Sequence, residues 1–164
     1  MKRYGLSMMS GTSLDGIDIL FGEIEGSYTK TKVNVIHTKT YAYDDKLMTK
    51  IKNAIRQKEN TSKRLCSLNH ELAVAYSECV FDFCKTYKIE MNQIDFIANH
   101  GQTIYHIPED EDGYMKSSLQ LGDGCVLANL TNIQVVSNFR TADIAQGGQG
   151  APLVAYANFV LFKD

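Results

Sequence analysis

Residues 9–18, MSGTSLDGID, form a turn rich in glycine and hydroxyl groups near the N-terminus. Apolar runs at residues 4–9 and 17–24 flank this turn and predict two β-strands, which places residues 11–13 at the tip of a hairpin. Backbone N–H groups can converge at such a tip and hold phosphate oxygens without a net positive charge. Glycine matters at Gly11 because a side chain there would block the close approach. The turn therefore predicts a hairpin whose tip can cradle phosphate.

The side chains of the same turn offer further ligands. The hydroxyls of Thr12 and Ser13 add hydrogen-bond donors, and Asp15 and Asp18 could hold Mg²⁺ directly or through its waters. These residue types are also common in hairpin turns that bind nothing. The pattern is neither a Walker loop nor a Rossmann fingerprint, because no Gly-Lys-Ser/Thr follows and the turn joins strand to strand. The residues alone leave a phosphate cradle and a plain turn both open.

Length and composition predict one globular domain. The chain has 164 residues, of which 44% are hydrophobic and 22% charged, as in soluble domains with a real core. A net charge of −2 argues against a nucleic-acid surface, which needs clustered Lys and Arg. The four cysteines form no Cys-x-x-Cys pair and indicate neither zinc nor disulfides. No apolar run predicts a membrane span or a signal peptide, so we expect a cytoplasmic protein that binds small molecules.

Hydrophobic periodicity predicts an α/β domain, a mixed sheet covered by helices. Strands are expected at residues 4–9, 17–24, 33–36, 94–98, 118–121 and 134–137, and helices at residues 47–55 after the cap Asp44-Asp45, 62–87, 125–130 and from Pro152 to Asp164. The first three strands are antiparallel, and the later strands alternate with helices. The last helix has no C-cap at Asp164, which suggests one lobe of a longer protein.

Two later segments carry candidate site residues. NHGQTIYH, residues 99–106, follows a predicted strand directly, where α/β sheets present ligand-binding loops. Gln102 and Thr103 suit the hydroxyls or amides of a polar substrate, whereas His100 is either functional or a satisfied hydrogen-bonding group. LQLGDG, residues 119–124, repeats the order of strand, glycine and carboxylate. The alternative is a common Gly-Asp-Gly turn that starts the next helix with Asp123 as its N-cap, and we favour a supporting role for this segment.

The segment NFRTADIAQGGQGAP, residues 138–152, is the densest in chemistry. Arg140 can clamp a carboxylate or phosphate, and Asp143 can accept a proton. The glycines of residues 147–150 bring backbone amides to the start of the last helix. The alternative is a flexible connector with a salt bridge between Arg140 and Asp143. Three glycines at a helix start carry an entropic cost that a connector need not bear, which favours a functional segment.

Taken together, the motifs resemble the anhydro-N-acetylmuramic acid kinase family. They are MSGTSLDGID at 9–18, HGQT at 100–103, QLGD at 120–123, and the run from FR at 139–140 through Asp143 to GGQGAPLV at 147–154. Their order matches as well, and the resemblance spans the chain. It implies an actin-like ATPase or sugar-kinase fold of the ribonuclease H-like type, in which two α/β lobes close over ATP and substrate. This chain, residues 1–164, resembles the N-terminal lobe.

The resemblance also implies an activity. Family members use ATP, Mg²⁺ and water to open the 1,6-anhydro ring of anhydro-N-acetylmuramic acid and phosphorylate O6, giving N-acetylmuramic acid 6-phosphate in cell-wall recycling. Asp143 would be the general base that activates the water. The ATP phosphates would be held by Gly11, Thr12, Ser13, Leu14, Asp15, Gly16, Ile17 and Asp18, with Asp15 and Asp18 as Mg²⁺ ligands. The substrate-binding candidates are His100, Gln102, Thr103 and Arg140.

The sequence departs from the family pattern in two respects. Asn138 stands where the family usually has Asp, and Ala155 and Asn158 stand where it usually has Pro and His. The C-terminal lobe is absent, so we expect this chain alone to bind ATP weakly and turn over little. It would be an excised domain or a truncated product. The alternatives are a non-catalytic sugar-binding or regulatory module, or a subunit whose partner chain supplies the second lobe; a homodimer is a further expectation.

Overall fold

A computed structural model describes residues 1–58 and 61–162 of the chain. In these ranges it has six strands, five α-helices and two short 3₁₀ turns. The strands are β1 (Lys2–Ser10), β2 (Ile17–Glu25), β3 (Lys32–Tyr41), β4 (Phe96–Ile107), β5 (Ser117–Leu121) and β6 (Val135–Val136). The helices are α1 (Asp45–Ile55), α2 (Ser62–Tyr87), α3 (Gly124–Thr131), α4 (Phe139–Ala145) and α5 (Val154–Phe162). None of the described helices is both long and apolar enough to cross a bilayer.

The strands form one mixed sheet in the order β3-β2-β1-β4-β5, with β6 also paired to β4. Strands β1, β2 and β3 are antiparallel, as expected from the leading hairpins. Strand β4 runs parallel to β1 and to β6, and β5 runs antiparallel to β4. The predicted α/β class, with three leading antiparallel strands and flanking helices, is confirmed.

Helix α1 begins where its cap predicts, α2 begins at the expected Ser62, and both bury one face against the sheet. The side chain of Asp44 accepts hydrogen bonds from the backbone N–H groups of Lys46 and Leu47, which satisfies donors at the start of α1. Thr61 caps α2 in the same way. Apolar residues at helical spacing on these helices meet the alternating residues of the central strands. Fully buried members of this core include Leu6, Ile19, Ile51, Leu72, Tyr76, Val80, Phe83 and Ile97.

The expectation of a loop at residues 99–106 is wrong, because these residues continue strand β4. The strand first pairs with β1 and then, from Gln102 onward, also with β5. Gly101 lies where β5 joins, and glycine is needed there because its φ is +72° and a Cβ would lie 2.8 Å from the carbonyl oxygen of Leu121. Polar Asn99 and Gln102 are buried within the strand because their amides bind protein groups.

Three smaller differences concern the C-terminal third. Strand β6 has only two residues, since the chain leaves it at Asn138, whose φ is +62°. Helix α4 was not expected, because it has only seven residues and is followed directly by a glycine-rich segment that predicts a loop. Helix α5 begins at Val154, two residues after Pro152. Its expected uncapped end at Asp164 lies outside the described residues.

Candidate functional site

The predicted site residues gather at one end of the sheet, where the parallel strands finish. Gly11 follows β1, and α4 follows β6. Strand β4 lies between them, because Ser10 pairs with Gln102 and Val136 pairs with Ala98. The carboxyl ends of parallel strands are where α/β sheets hold ligands. The fold thus brings the first, second and last motifs to one edge.

The turn between β1 and β2 contains two glycines, and the fold requires glycine at only one of these two positions. Gly16 has a φ of +149°, and a Cβ there would lie 2.5 Å from the carbonyl oxygen of Tyr41, so the fold itself requires glycine. Gly11 shows no such constraint. A Cβ on Gly11 would meet only Ser13, with its Oγ at 3.5 Å, an ordinary van der Waals contact. The space above Gly11 is therefore open toward solvent and suits a ligand.

The turn presents donors and carboxylates outward. Thr12, Ser13 and Asp15 are exposed. Within the described ranges, the backbone N–H groups of Thr12 and Ser13 donate to no protein acceptor. The carboxylate of Asp18 accepts a hydrogen bond from the hydroxyl of Thr40 at 2.6 Å. These unpaired amides are the kind of donor that a phosphate oxygen accepts from.

The remaining residues of the turn act through their backbone. Leu14 donates its N–H to the carbonyl of Gly11 at 3.2 Å, which closes the turn, and its φ of +60° is left-handed. Ile17 is 2% exposed and packs in the core. No cluster of three or more Asp, Glu, His or Cys side chains suited to a metal occurs among the described residues. Asp15 and Asp18 fit a magnesium ion only if water and phosphate oxygens complete its octahedron, the usual arrangement beside nucleotides.

Gln102 is fully buried and fixes the turn from behind. Its Nε2 donates to the carbonyl oxygens of Gly11 and Thr103, each at 3.2 Å. Its Oε1 accepts from the hydroxyls of Ser10 and Tyr43. Burial raises the pKa of Tyr43, which the hydrogen bond with Ser10 partly offsets, so the phenol keeps its proton for donation. The amide of Gln102 is thus engaged by protein groups, and Thr103 is also buried; their contact with substrate stays a prediction.

The turn after β5 is held by two asparagines that sequence patterns did not single out. Asn69 accepts from the N–H of Gly122 at 2.8 Å, and Asn99 donates to its carbonyl at 3.0 Å. Gly122 has a φ of +108°, and a Cβ there would collide with the ring of Tyr76. Asp123 accepts from the first backbone N–H groups of α3. The interpretation of Asp123 as the N-cap of this helix is confirmed, and a supporting role at the site stays a prediction.

His100, Arg140 and Asp143 are brought together around Gly150. The Nε of Arg140 donates to Nε2 of His100 at 3.0 Å, and its Nη1 donates to the carbonyl of Gly150 at 2.9 Å. The N–H of Gly150 donates to Oδ2 of Asp143 at 2.8 Å. Arg140 and Asp143 form no ion pair in the described structure. The described structure therefore lacks the salt bridge between Arg140 and Asp143 that the connector alternative assumed.

The glycine-rich segment packs closely on Asp143. A Cβ on Gly148 would collide with the Asp143 carboxylate, so any other residue at this position would displace that carboxylate. Lys116 donates to the carbonyls of Gly147 and Gly148 at 3.2 and 3.4 Å. The carbonyl oxygen of Asp143 also accepts from the N–H of Gly148 at 2.9 Å. Lys116 was missed in the sequence because it lies in a region that predicts only a connection between strands.

Two other residues of the site, Asn69 and His106, differ in whether the sequence alone could have indicated their contacts. Asn69 lies on the apolar stripe of α2 with Leu65, Leu72 and Tyr76, and a lone amide on such a stripe indicates a buried hydrogen bond. His106 packs beside Gly150, with its ring 3.3 Å from where a Cβ would stand. No spacing pattern indicates that contact.

Comparison with known proteins gives the family. The family model for anhydro-N-acetylmuramic acid kinase matches residues 3–164. This chain belongs to the anhydro-N-acetylmuramic acid kinase family. It is 42% identical over 161 residues to the anhydro-N-acetylmuramic acid kinase of Bacillus thuringiensis subsp. konkukian (strain 97-27), covering 98% of this chain and 42% of the relative. It is 44% identical over 162 residues to that of Francisella tularensis subsp. novicida (strain U112), covering 99% of this chain and 42% of the relative.

The chain thus spans about two fifths of the length of the curated relatives that it matches. Within the anhydro-N-acetylmuramic acid kinase family, its Asn138 has a physical explanation. Its φ of +62° is left-handed, and its side chain makes no capping hydrogen bond to α4. Asn and Asp are the non-glycine residues that adopt this conformation most readily. Asn138 therefore preserves the backbone turn that an Asp would also allow.

Proposed function

We propose that this chain is the N-terminal lobe of an ATP-dependent kinase that converts 1,6-anhydro-N-acetylmuramic acid, ATP and water into N-acetylmuramic acid 6-phosphate and ADP. The main support is that the turn with the unpaired amides of Thr12 and Ser13 and the half-buried side chain of Asp143 lie at the same end of one sheet, where its parallel strands finish. In this proposal residues 11–18 hold the ATP phosphates, and Asp15 and Asp18 hold Mg²⁺ with phosphate oxygens and water.

Asp143 is the proposed general base. Its Oδ2 is anchored by the N–H of Gly150, whereas no described group donates to its Oδ1. A water molecule bound at Oδ1 gives its proton to the carboxylate as its oxygen attacks the anomeric carbon. The bond from that carbon to O6 breaks, and O6 attacks the γ-phosphorus of ATP while ADP leaves. Catalysis then rests on holding the water, the sugar and the phosphate in line.

Arg140 is the proposed partner for the sugar's lactyl carboxylate. Its guanidinium is half-buried, and no carboxylate of the described residues pairs with it. A guanidinium binds a carboxylate in a planar fork that a lysine does not reproduce. Gln102 supports the site from behind by fixing Gly11.

Helix α5 supports the proposal that a second lobe completes the enzyme, in the same chain or another. Its sequence, VAYANFVLF, has no charged residue, and only Val160 is buried. Val154, Tyr156, Phe159 and Phe162 are 58%, 58%, 59% and 77% exposed. Contiguous apolar surface of this kind marks an interaction site. We propose that the second lobe covers it. The cytoplasmic location and a homodimer stay predictions.

Binding and turnover test the proposal separately. ATP with Mg²⁺ is titrated into the ¹⁵N-labelled chain, and the amide resonances of Thr12 and Ser13 are expected to shift most. If these resonances do not change at saturating nucleotide, the proposed phosphate site at residues 11–18 is wrong. For turnover, the chain is joined to the part of the Francisella relative that lies beyond the match and assayed for phosphorylated sugar. An ordinary enzyme rate from the chain alone would show that no second lobe is needed, and sugar binding without nucleotide synergy would favour a non-catalytic module.

A further inference from the structure

His100 uses both ring nitrogens on protein groups. Its Nδ1 lies 2.8 Å from the carbonyl oxygen of Gly101, which can only accept, so Nδ1 carries a proton. Its Nε2 lies 3.0 Å from Nε of Arg140, which can only donate, so Nε2 carries none. The two contacts independently require the same state, the neutral imidazole protonated on Nδ1.

The surroundings favour that neutral state. His100 is half-buried, and this burial is the main reason that its pKa is lowered; the hydrogen bond to the Gly101 carbonyl raises the pKa by less, and the nearby charge of Arg140 lowers it further. A second proton on Nε2 would place N–H against N–H and a cation against a cation. Protonation would therefore break the bond to Arg140.

Arg140 transmits the position of this ring to the acidic residue. The guanidinium is planar and rigid, so fixing Nε on His100 also sets the direction of Nη1. Nη1 binds the carbonyl of Gly150, and the N–H of the same residue binds Asp143. Gly150 is buried and has a φ of +74°, with Ile144 and His106 packed around it. The backbone of Gly150 is thus held from both sides.

We propose that His100 is a positioning residue, which accepts a hydrogen bond from Arg140 and, through Gly150, holds the carboxylate of Asp143 in place. This differs from the expectation that His100 contacts the sugar, because neither ring nitrogen is left for a ligand. What the network serves rests on the proposed function, whereas the network itself does not.

Two substitutions separate the nitrogens of this ring. In His100→Gln the side-chain oxygen reaches the place of Nε2 and can still accept from Arg140. In His100→Asn the amide stands at the place of Nδ1, so the donor to Gly101 is kept and the acceptor is lost. Both variants remove the imidazole and its titration, and they differ in which hydrogen bond they retain.

The test is NMR on the 164-residue chain. At neutral pH the wild-type ring is expected to show a protonated Nδ1 and an unprotonated Nε2. His100→Asn is expected to speed amide exchange at Gly150 about tenfold, as for the loss of one hydrogen bond, while His100→Gln stays close to wild type. The amide of Leu72 in α2 serves as a folding control. A ring protonated on Nε2, or equal exchange at Gly150 in the two variants, overturns the proposal.

Turnover in the joined enzyme described above gives a readout that a sugar contact would not reproduce. His100→Asn is expected to lower kcat with little change in the KM for the sugar, and His100→Gln is expected to restore most of kcat. If both variants raise the KM alike, His100 contacts the sugar and the inference is wrong. The NMR test needs neither ATP nor sugar. Its result can therefore be interpreted even if the proposed kinase function is wrong.

Discussion

The side-chain amide of Gln102 donates to the carbonyl oxygen of Gly11 across 3.2 Å, so strand β4 holds the turn between β1 and β2. The amide is fully buried and also accepts from Ser10 and Tyr43. A buried amide with this many partners is costly to remove, because its partners remain desolvated.

Gln102→Met keeps the size of the side chain and removes its polar atoms. We expect the free energy of unfolding to fall by about 1–3 kcal/mol, since the buried hydroxyls of Ser10 and Tyr43 lose an acceptor. Urea unfolding measures the change. Gln134→Met, the same substitution at an exposed position, is the control and should change stability by no more than about 0.5 kcal/mol. Equal effects of the two substitutions would contradict the role assigned to Gln102.

Gly11→Ala separates binding from folding. Because a Cβ at Gly11 meets only Ser13 at 3.5 Å, we expect stability to change by less than about 1 kcal/mol. The methyl group would nevertheless stand where a phosphate approaches, so the ATP-induced shifts of the neighbouring amides should be lost. Gly16→Ala is the matched contrast and should destabilise the fold, because of the Tyr41 carbonyl. ATP binding by Gly11→Ala at wild-type strength would argue for a plain turn.

Asp143→Asn and Asp143→Ala separate the chemical and structural uses of one carboxylate. The Asn oxygen can still accept from the N–H of Gly150, so amide exchange there should stay near wild type. The Asn side chain cannot take a proton from water, and turnover in the joined enzyme should fall about 10²- to 10⁴-fold. Asp143→Ala should lose both. If Asp143→Asn retains full turnover, another group is the base.

The free energy of unfolding should depend on pH through His100. Its pKa is lower in the folded chain than in the unfolded chain, so the unfolded state takes up the proton first as the pH falls. The stabilisation is present above the unfolded pKa of about 6.5 and is lost as the pH falls toward the folded value. Among the charged or titratable groups around it, Arg140 contacts this ring, Asp123 and Cys125 line the same pocket, and Asp143 and His106 contact Gly150 on the far side of Arg140.

Urea unfolding of the wild type and of His100→Gln at pH 7.5, 6.5 and 5.5 measures this dependence. The wild type should lose more stability on acidification than the variant, by at most about 1.4 kcal/mol per pH unit, the limit for one proton. Parallel curves for the two proteins would mean that His100 does not titrate differently on folding.

Local signals predicted much of the fold. Apolar runs predicted β1 and β2, the cap at Asp44-Asp45 and an apolar stripe predicted α1, and an apolar stripe predicted α2 with bounds near Ser62–Tyr87. Strand β4 was cut short because Asn99 and Gln102 are polar. A polar residue in a strand reads as a loop unless its buried partners are known, and those partners come from other elements.

The candidate site was likewise predicted only in part. Motifs pointed to Gly11, Arg140 and Asp143, since their chemistry can be read from residue type and neighbours. The contact between His100 and Arg140 joins residues 40 positions apart, and no period relates them. Asn69 could have been found as the single amide on an apolar helix face. Lys116 carries no such signal, because its carbonyl partners are set only by the folded path of the glycine-rich segment.

Strand β4 carries His100 and Gln102 two residues apart, about 7 Å along the chain. His100 contacts Arg140 of helix α4, and Gln102 contacts Gly11 in the turn between β1 and β2. A slide of this single strand along its axis would move both contacts by the same amount and in the same direction. A ligand that shifted β4 at one of these contacts would therefore also shift the other, so one strand couples the turn between β1 and β2 to helix α4.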